Sequence, residues 1–139
     1  MARNGNGNGK LSRNEAEKQM QEMLGFKPEF LSHLPEHGFG AMWSVMRDTD
    51  LDMNTALDPK TKDLIALSVA AHMKCKYCIY FHKRGAEAFG ATQEEIREAI
   101  ATGGIAAMFS NVLHGNRVDF EKFRKETDRA IEHMMSQSR

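Results

Sequence analysis

Apolar residues fall in segments with few β-branched runs and only three prolines in the chain, which leans towards an all-helical protein. Ser12 and Glu15 have capping-box spacing and open a short helix that carries Met20, Met23 and Leu24 and stops at Gly25. Pro28 begins a short apolar segment with Phe30 and Leu31, and Pro35 to Gly40 reads as a turn. A further helix is expected from about Phe39 through Met42, Trp43, Val45 and Met46. Asp58 is a good N-cap, and Pro59 suits the first helical position, where its missing N–H costs nothing. The run from Leu64 to Ala71 is apolar nearly all round, as in a helix buried at the centre of a bundle. The segment from Cys75 to Phe89 ends at Gly90, a natural left-handed C′ residue.

Thr92 and Glu95 form a second capping box, for a helix carrying Ile96, Ala99 and Ile100. Gly103-Gly104 either interrupts that helix or lets another helix approach closely. Ile105 to Leu113 is apolar, and His114-Gly115 closes it. Asn116 is expected to cap a last helix with an apolar stripe of Phe120, Phe123, Thr127, Ala130, Ile131 and Met134. Residues 1–10, in which Asn4 to Gly9 alternate asparagine and glycine, are expected to be a flexible tail. The pattern therefore predicts an all-α, single-domain bundle over residues 11–139, with roughly six to eight helices.

Composition changes this picture only by exclusion. At 139 residues the chain is long enough to bury a core without disulfides. Nineteen basic and nineteen acidic residues balance, so no basic excess suggests a nucleic-acid partner. No apolar run reaches the ~18 residues of a membrane span, and the N-terminus lacks the apolar core of a signal peptide. A cytoplasmic location is the expectation. In a reducing compartment a close cysteine pair suits catalysis or metal binding better than a structural disulfide.

Both cysteines of the chain fall in Cys75-Lys76-Tyr77-Cys78-Ile79-Tyr80-Phe81-His82. A histidine at i+4 from Cys78 shares its helical face. Near a helix start, peptide dipoles and free N–H groups favour a thiolate. That thiolate can attack a disulfide or a peroxide, and the second cysteine can resolve the intermediate. His82 can take the Cys78 proton or stabilise the thiolate. Two other readings stand beside this one. The cysteines can be plain buried residues on an apolar face with Ile79 and Phe81. Alternatively, His72, Cys75, Cys78 and His82 supply four donors for zinc or an iron–sulfur cluster, although without the separated ligand pairs of common zinc modules. His114 more simply caps carbonyls or faces solvent. His33, His37 and His133 carry no local signature, and Trp43, Tyr80 and Phe81 more simply pack.

The run Leu57-Asp58-Pro59-Lys60-Thr61-Lys62-Asp63-Leu64-Ile65-Ala66-Leu67, then Cys75-Lys76-Tyr77-Cys78 and His82, then Gly85-Ala86 and Gly90-Ala91-Thr92-Gln93-Glu94-Glu95-Ile96, resembles the alkylhydroperoxidase AhpD / carboxymuconolactone decarboxylase family. The resemblance covers about residues 40–113. It implies an all-α fold with interlocking subunits, commonly trimers or hexamers. In the AhpD-like branch the cysteines are the redox pair and the histidine belongs to a proton relay, roles that carry over to Cys75, Cys78 and His82. That relay also uses a glutamate twelve residues before the first cysteine, where this chain has the shorter Asp63. Some members place a histidine just before the second cysteine, where this chain has Tyr77. The lactone-decarboxylase branch does not depend on a Cys-x-x-Cys pair.

The expected function is a dithiol oxidoreductase that reduces a hydroperoxide or a disulfide and is reset by an external thiol reductant. Its expected site is Cys75, Cys78, His82 and Asp63, with no cofactor beyond the Cys75–Cys78 couple. A lactone-decarboxylase-type lyase and a metal- or cluster-binding redox protein are the alternatives.

Overall fold

A computed structural model of the chain describes residues 11–137; the expected tail at 1–10 lies outside them. Among the described residues there are six α-helices and no strand: α1 (Arg13–Leu24), α2 (Phe39–Val45), α3 (Pro59–His72), α4 (Lys76–Ala88), α5 (Gln93–Gly115) and α6 (Phe120–Gln137). Short 3₁₀ turns at Glu29–His33 and Glu36–Gly38 replace the apolar segment and turn expected between α1 and α2. The chain is therefore all-α. No described helix is long and apolar enough to cross a membrane.

The helix starts follow the sequence closely. Ser12 and Thr92 each close a complete capping box with Glu15 and Glu95, and the Asp58 side chain accepts from the Thr61 N–H. The ends depart from it in an instructive way. Gly90 turns left-handed at φ +84°, with the Ala91 N–H on the Ala86 carbonyl and the Gly90 N–H on Glu87. These are the two bonds of a Schellman stop. Helices α3 and α5 stop identically but without glycine: Lys74 (φ 56°) and Arg117 (φ 51°) take the left-handed position. So α5 runs on through His114-Gly115 before it turns. Asn116 does not cap α6; its side chain bonds back to the Val112 carbonyl, and Asp119 accepts the Lys122 N–H instead. The helix that begins at Phe39 loosens after Val45 into a π-helical turn, Met46–Leu51.

Gly103-Gly104 does not interrupt α5. A Cβ on Gly103 would run into the Ser68 hydroxyl, so the glycine lets α5 lie close against α3. Gly104 has open space around it.

Two small cores form. Ala16, Met20, Leu31, Phe39 and Trp43 fill one between α1 and α2, with the Trp43 Nε1 donating to Gln19 Oε1 at 3.0 Å. Leu67, Ala86 and Ile96 form the other, where α4 and α5 both pack on α3. Helix α3 is thus central, but not buried all round: Ile65 and Val69 remain half-exposed among the described residues. Helix α6 has no buried residue at all.

Candidate functional site

The tight join between α3 and α4 fixes the first cysteine. With Lys74 left-handed, the Cys75 N–H reaches back to the Ala70 carbonyl at 3.1 Å. The same residue is the N-cap of α4, its Sγ accepting the Cys78 N–H at 3.4 Å. One residue therefore ends one helix and begins the next, and its sulfur stands in for a capping oxygen. Cys78 follows one turn later, and both thiols are free and part-exposed. The Cys75 thiol is shifted below its ordinary value by the hydrogen bond from the Cys78 side chain and by the backbone N–H groups of the first turn. Cys78 is shifted upward, because it donates to Cys75 and is partly desolvated. Of the two, Cys75 is thus the easier to ionise.

The second half of the site is buried. Asp63, at 8 % exposure, lies on the face of α3 toward α4, and its Oδ1 is 2.9 Å from His82 Nδ1. Desolvation raises the Asp63 pKa, the hydrogen bond from His82 works against that rise, and the nearby charge of Asp50 adds to it. The short aspartate carboxylate thus reaches the imidazole directly. Gly85 makes this possible. A Cβ there would sit 2.7 Å from Asp63 Cγ and 2.8 Å from Oδ1, and closer still to Oδ2, so the carboxylate occupies the space a side chain would take. Phe81 stacks edge-on against the His82 ring at 5.0 Å between centroids and limits its rotation.

Beyond Asp63 a cavity of about 330 Å³ opens between α4, the start of α3 and the π-helical turn. Leu51, Pro59, Phe81 and Phe89 supply apolar walls, and Asp50 and Arg84 bring charge. Lys62 fastens the turn to α3 by donating to the Asp52 carbonyl at 2.7 Å. Neither cysteine lines this cavity.

The four expected site residues thus fall into two pairs: Cys75 with Cys78 at the start of α4, and Asp63 of α3 with His82 of α4. Asp63 is not merely an acidic residue favoured by the dipole at a helix start, since it is buried against its partner. His72 stays exposed, and among the described residues no three His, Cys, Asp or Glu side chains converge as metal donors. Three contributors escaped the sequence reading. Gly85 was visible only as part of a family pattern, while Asp50 and Lys62 act through a turn whose π-helical form has no sequence signal.

Comparison with known proteins bears on the family and the fold. The model of the carboxymuconolactone decarboxylase family matches residues 28–118. The crystal structure of the alkylhydroperoxidase AhpD core from Rhodospirillum rubrum superposes with a TM-score of 0.60 at 22% identity, over 79% of this chain and 84% of that one. At that identity the likeness shows the fold. Uncharacterized protein 4 in the cox locus of Paracoccus denitrificans is 42% identical over 62 residues, which are 45% of this chain. The match spans only 56% of that relative's length.

Proposed function

Because the chain belongs to the carboxymuconolactone decarboxylase family, we propose that it is an AhpD-like thiol–disulfide oxidoreductase that reduces hydroperoxides or disulfides through Cys75 and Cys78. The observation that carries this reading is the cysteine pair at the α4 start. One sulfur is held in a cap that favours the thiolate, with a second thiol donating to it. With a hydroperoxide, the Cys75 thiolate attacks the terminal oxygen and the O–O bond breaks. An alcohol leaves after protonation, and Cys75 becomes a sulfenic acid. Cys78 then attacks that sulfur, the S–O bond breaks, water leaves and the disulfide closes. With a disulfide substrate, the same attack gives a mixed disulfide that Cys78 resolves. His82, held by Asp63, takes the Cys78 proton and returns it to the leaving oxygen or sulfur. An external thiol reductant restores the pair, so the redox equivalents reside in the cysteines and no cofactor is required. A reducing cytoplasm suits this cycle.

Self-association belongs to the same proposal. Ile105, Met108, Phe109 and Val112 on α5, and Phe120, Phe123, Ile131 and Met134 on α6, are exposed, and further copies of the chain, as a trimer or hexamer, would cover them.

Thiol counting tests the redox reading. One equivalent of hydroperoxide should remove two free thiols together from the reduced protein. Cys75→Ser and Cys78→Ser should each abolish multiple turnover, and full activity in either variant overturns the reading.

One observation favours a second reading. The cavity opens on Asp63 and not on the cysteines, as a lyase working through Asp63 and His82 would need. Activity on a carboxymuconolactone-type substrate that survives loss of both cysteines would establish it.

A further inference from the structure

The π-helical turn Met46–Leu51 and the residue after it carry three aspartates, Asp48, Asp50 and Asp52. Two of them are occupied. Both Asp48 oxygens accept from Arg47, at 2.6 and 2.7 Å, and Asp52 Oδ1 accepts the Asn54 N–H at 2.8 Å. The Asp50 carboxylate has no hydrogen-bond or ion-pair partner among the described residues, and it lines the same cavity as Asp63. Lys62, the neighbour of Asp63 on α3, reaches across to the turn. It donates to the main-chain carbonyls of Asp52, at 2.7 Å, and Asp50, at 3.5 Å. Its ammonium thus binds the backbone of the turn and not a carboxylate.

The charges facing Asp63 and His82 set the sign of what this does. Asp50 carries the same charge as Asp63 and adds to the rise that burial gives the Asp63 pKa. Leu51, Pro59 and Phe81 wall the cavity, so that charge is screened less than it would be in open water. Lys62 acts in the opposite sense beside Asp63. Arg84 lines the cavity but is bonded to Glu87 at 2.7 Å, and Cys78, one turn before His82, is the thiol shifted upward. Helix α5 packs on α3 but lines none of the cavity, and its Glu95 is paired to Lys60 at 2.7 Å. Asp63 and His82 share a hydrogen bond, so the proton they hold belongs to the pair.

We propose that Asp50 is a positioning residue for the proton of the Asp63–His82 pair: Lys62 holds the turn so that the unpaired Asp50 carboxylate faces Asp63 across the cavity and tightens the pair's hold on that proton. The π-helical turn then has a use, since it delivers one of its three aspartates to the pair while the other two are consumed locally. The assignment rests on the pair as a proton carrier, which both readings of the function employ, and on no redox activity of the thiols.

The experiment is a pH titration of the His82 ring nitrogens by NMR, on the reduced full-length chain. Asp50→Asn should lower the midpoint of the pair by roughly 0.5–1 unit, the size of one partly screened charge. Asp50→Glu should keep the wild-type midpoint, a rescue that a merely structural role for Asp50 would not give. Lys62→Met removes a cation and the clamp together in the wild type, but only the cation once Asp50 is neutral. It should therefore raise the midpoint less in the wild type than in Asp50→Asn. An unmoved midpoint in Asp50→Asn, an equal fall in Asp50→Glu, or the same Lys62→Met effect in both backgrounds overturns the proposal. If the Lys62 variants do not fold, Asp50→Asn against Asp50→Glu decides alone. The titration needs no turnover, so a failure of thiol oxidation would strike the redox reading and leave this result standing.

Discussion

Helices α3 and α4 bring their candidate site residues together within one chain, whereas α6 and the outer half of α5 keep large apolar side chains exposed among the described residues. In the first pair, Asp63 meets His82, Gly85 makes room for the carboxylate, and Cys75 joins the two helices through its own backbone and sulfur. Each contact lies within one chain and is short-range in space. In the second pair, a strongly amphipathic α6 has no buried residue, and the outer half of α5 exposes isoleucine, methionine, phenylalanine and valine. Amphipathic helices are stabilised mainly by packing of their apolar face, and none of the described residues buries that face of α6. If the proposed redox chemistry and self-association hold, they lie in separate parts of this fold and can be broken separately.

The largest effect is expected where the chemistry is most local. Cys75→Ser or Cys78→Ser should remove turnover altogether in a coupled peroxide-reduction assay, while the elution volume of the assembly stays unchanged. Next, Gly85→Ala should force the Asp63 carboxylate away from His82, because the added Cβ needs the space Asp63 occupies. General acid–base groups contribute roughly 10²–10⁴-fold, so a loss of about 10²-fold in kcat is expected. Its cause is checked by a shift in the His82 ring ¹⁵N resonances, which a loss of packing alone would not produce. On the other side of the comparison, Phe109→Glu or Ile131→Glu should lower the mass seen by light scattering and leave thiol loss per equivalent of oxidant intact. If either charge change instead abolished thiol oxidation while the mass held, the separation of the two regions would be wrong.

The pH dependence sharpens the division between the two sulfurs. Cys75 is shifted down and Cys78 up, so alkylation of Cys75 should reach its midpoint below that of a free thiol, ~8.5, and alkylation of Cys78 above it. Because a depressed pKa favours the folded thiolate, the stability Cys75 contributes is present above the unfolded-state value and lost as pH falls through the folded one. Mass spectrometry of iodoacetamide adducts across pH reads both midpoints; a common midpoint would remove the assignment of Cys75 as the attacking sulfur. The smallest expected effect is structural. Lys74→Gly should stabilise the chain by about 1 kcal/mol in urea unfolding, since a left-handed lysine costs roughly that much more than glycine.

Lys74 also shows where sequence reading reached its limit. Starts of helices were legible because capping depends on side chains three residues apart, and Ser12, Asp58 and Thr92 each cap as expected. Ends marked by glycine were legible at Gly25 and Gly90 for the same local reason. At α3 and α5 the left-handed residue is a lysine or an arginine, held there by bonds to the preceding turn, and no residue type announces it. The cysteine pair and His82 were legible because their spacing falls on one helix. Asp63 was reached only by family resemblance, since its partner lies nineteen residues away on another helix.

What the sequence determined by itself is therefore local: the all-α pattern, the capped starts, the dithiol and the histidine one turn beyond it. Hydrogen bonds between near neighbours and the 3.6-residue period are sufficient for these. The tertiary structure decided the rest. It set Asp63 on His82, made Gly85 the space that the carboxylate fills, brought Asp50 to the edge of a cavity, and left α6 with no buried residue among those described. These depend on how closely α3 and α4 approach and on which faces remain unpaired, quantities that arise from packing in three dimensions and have no counterpart in residue spacing.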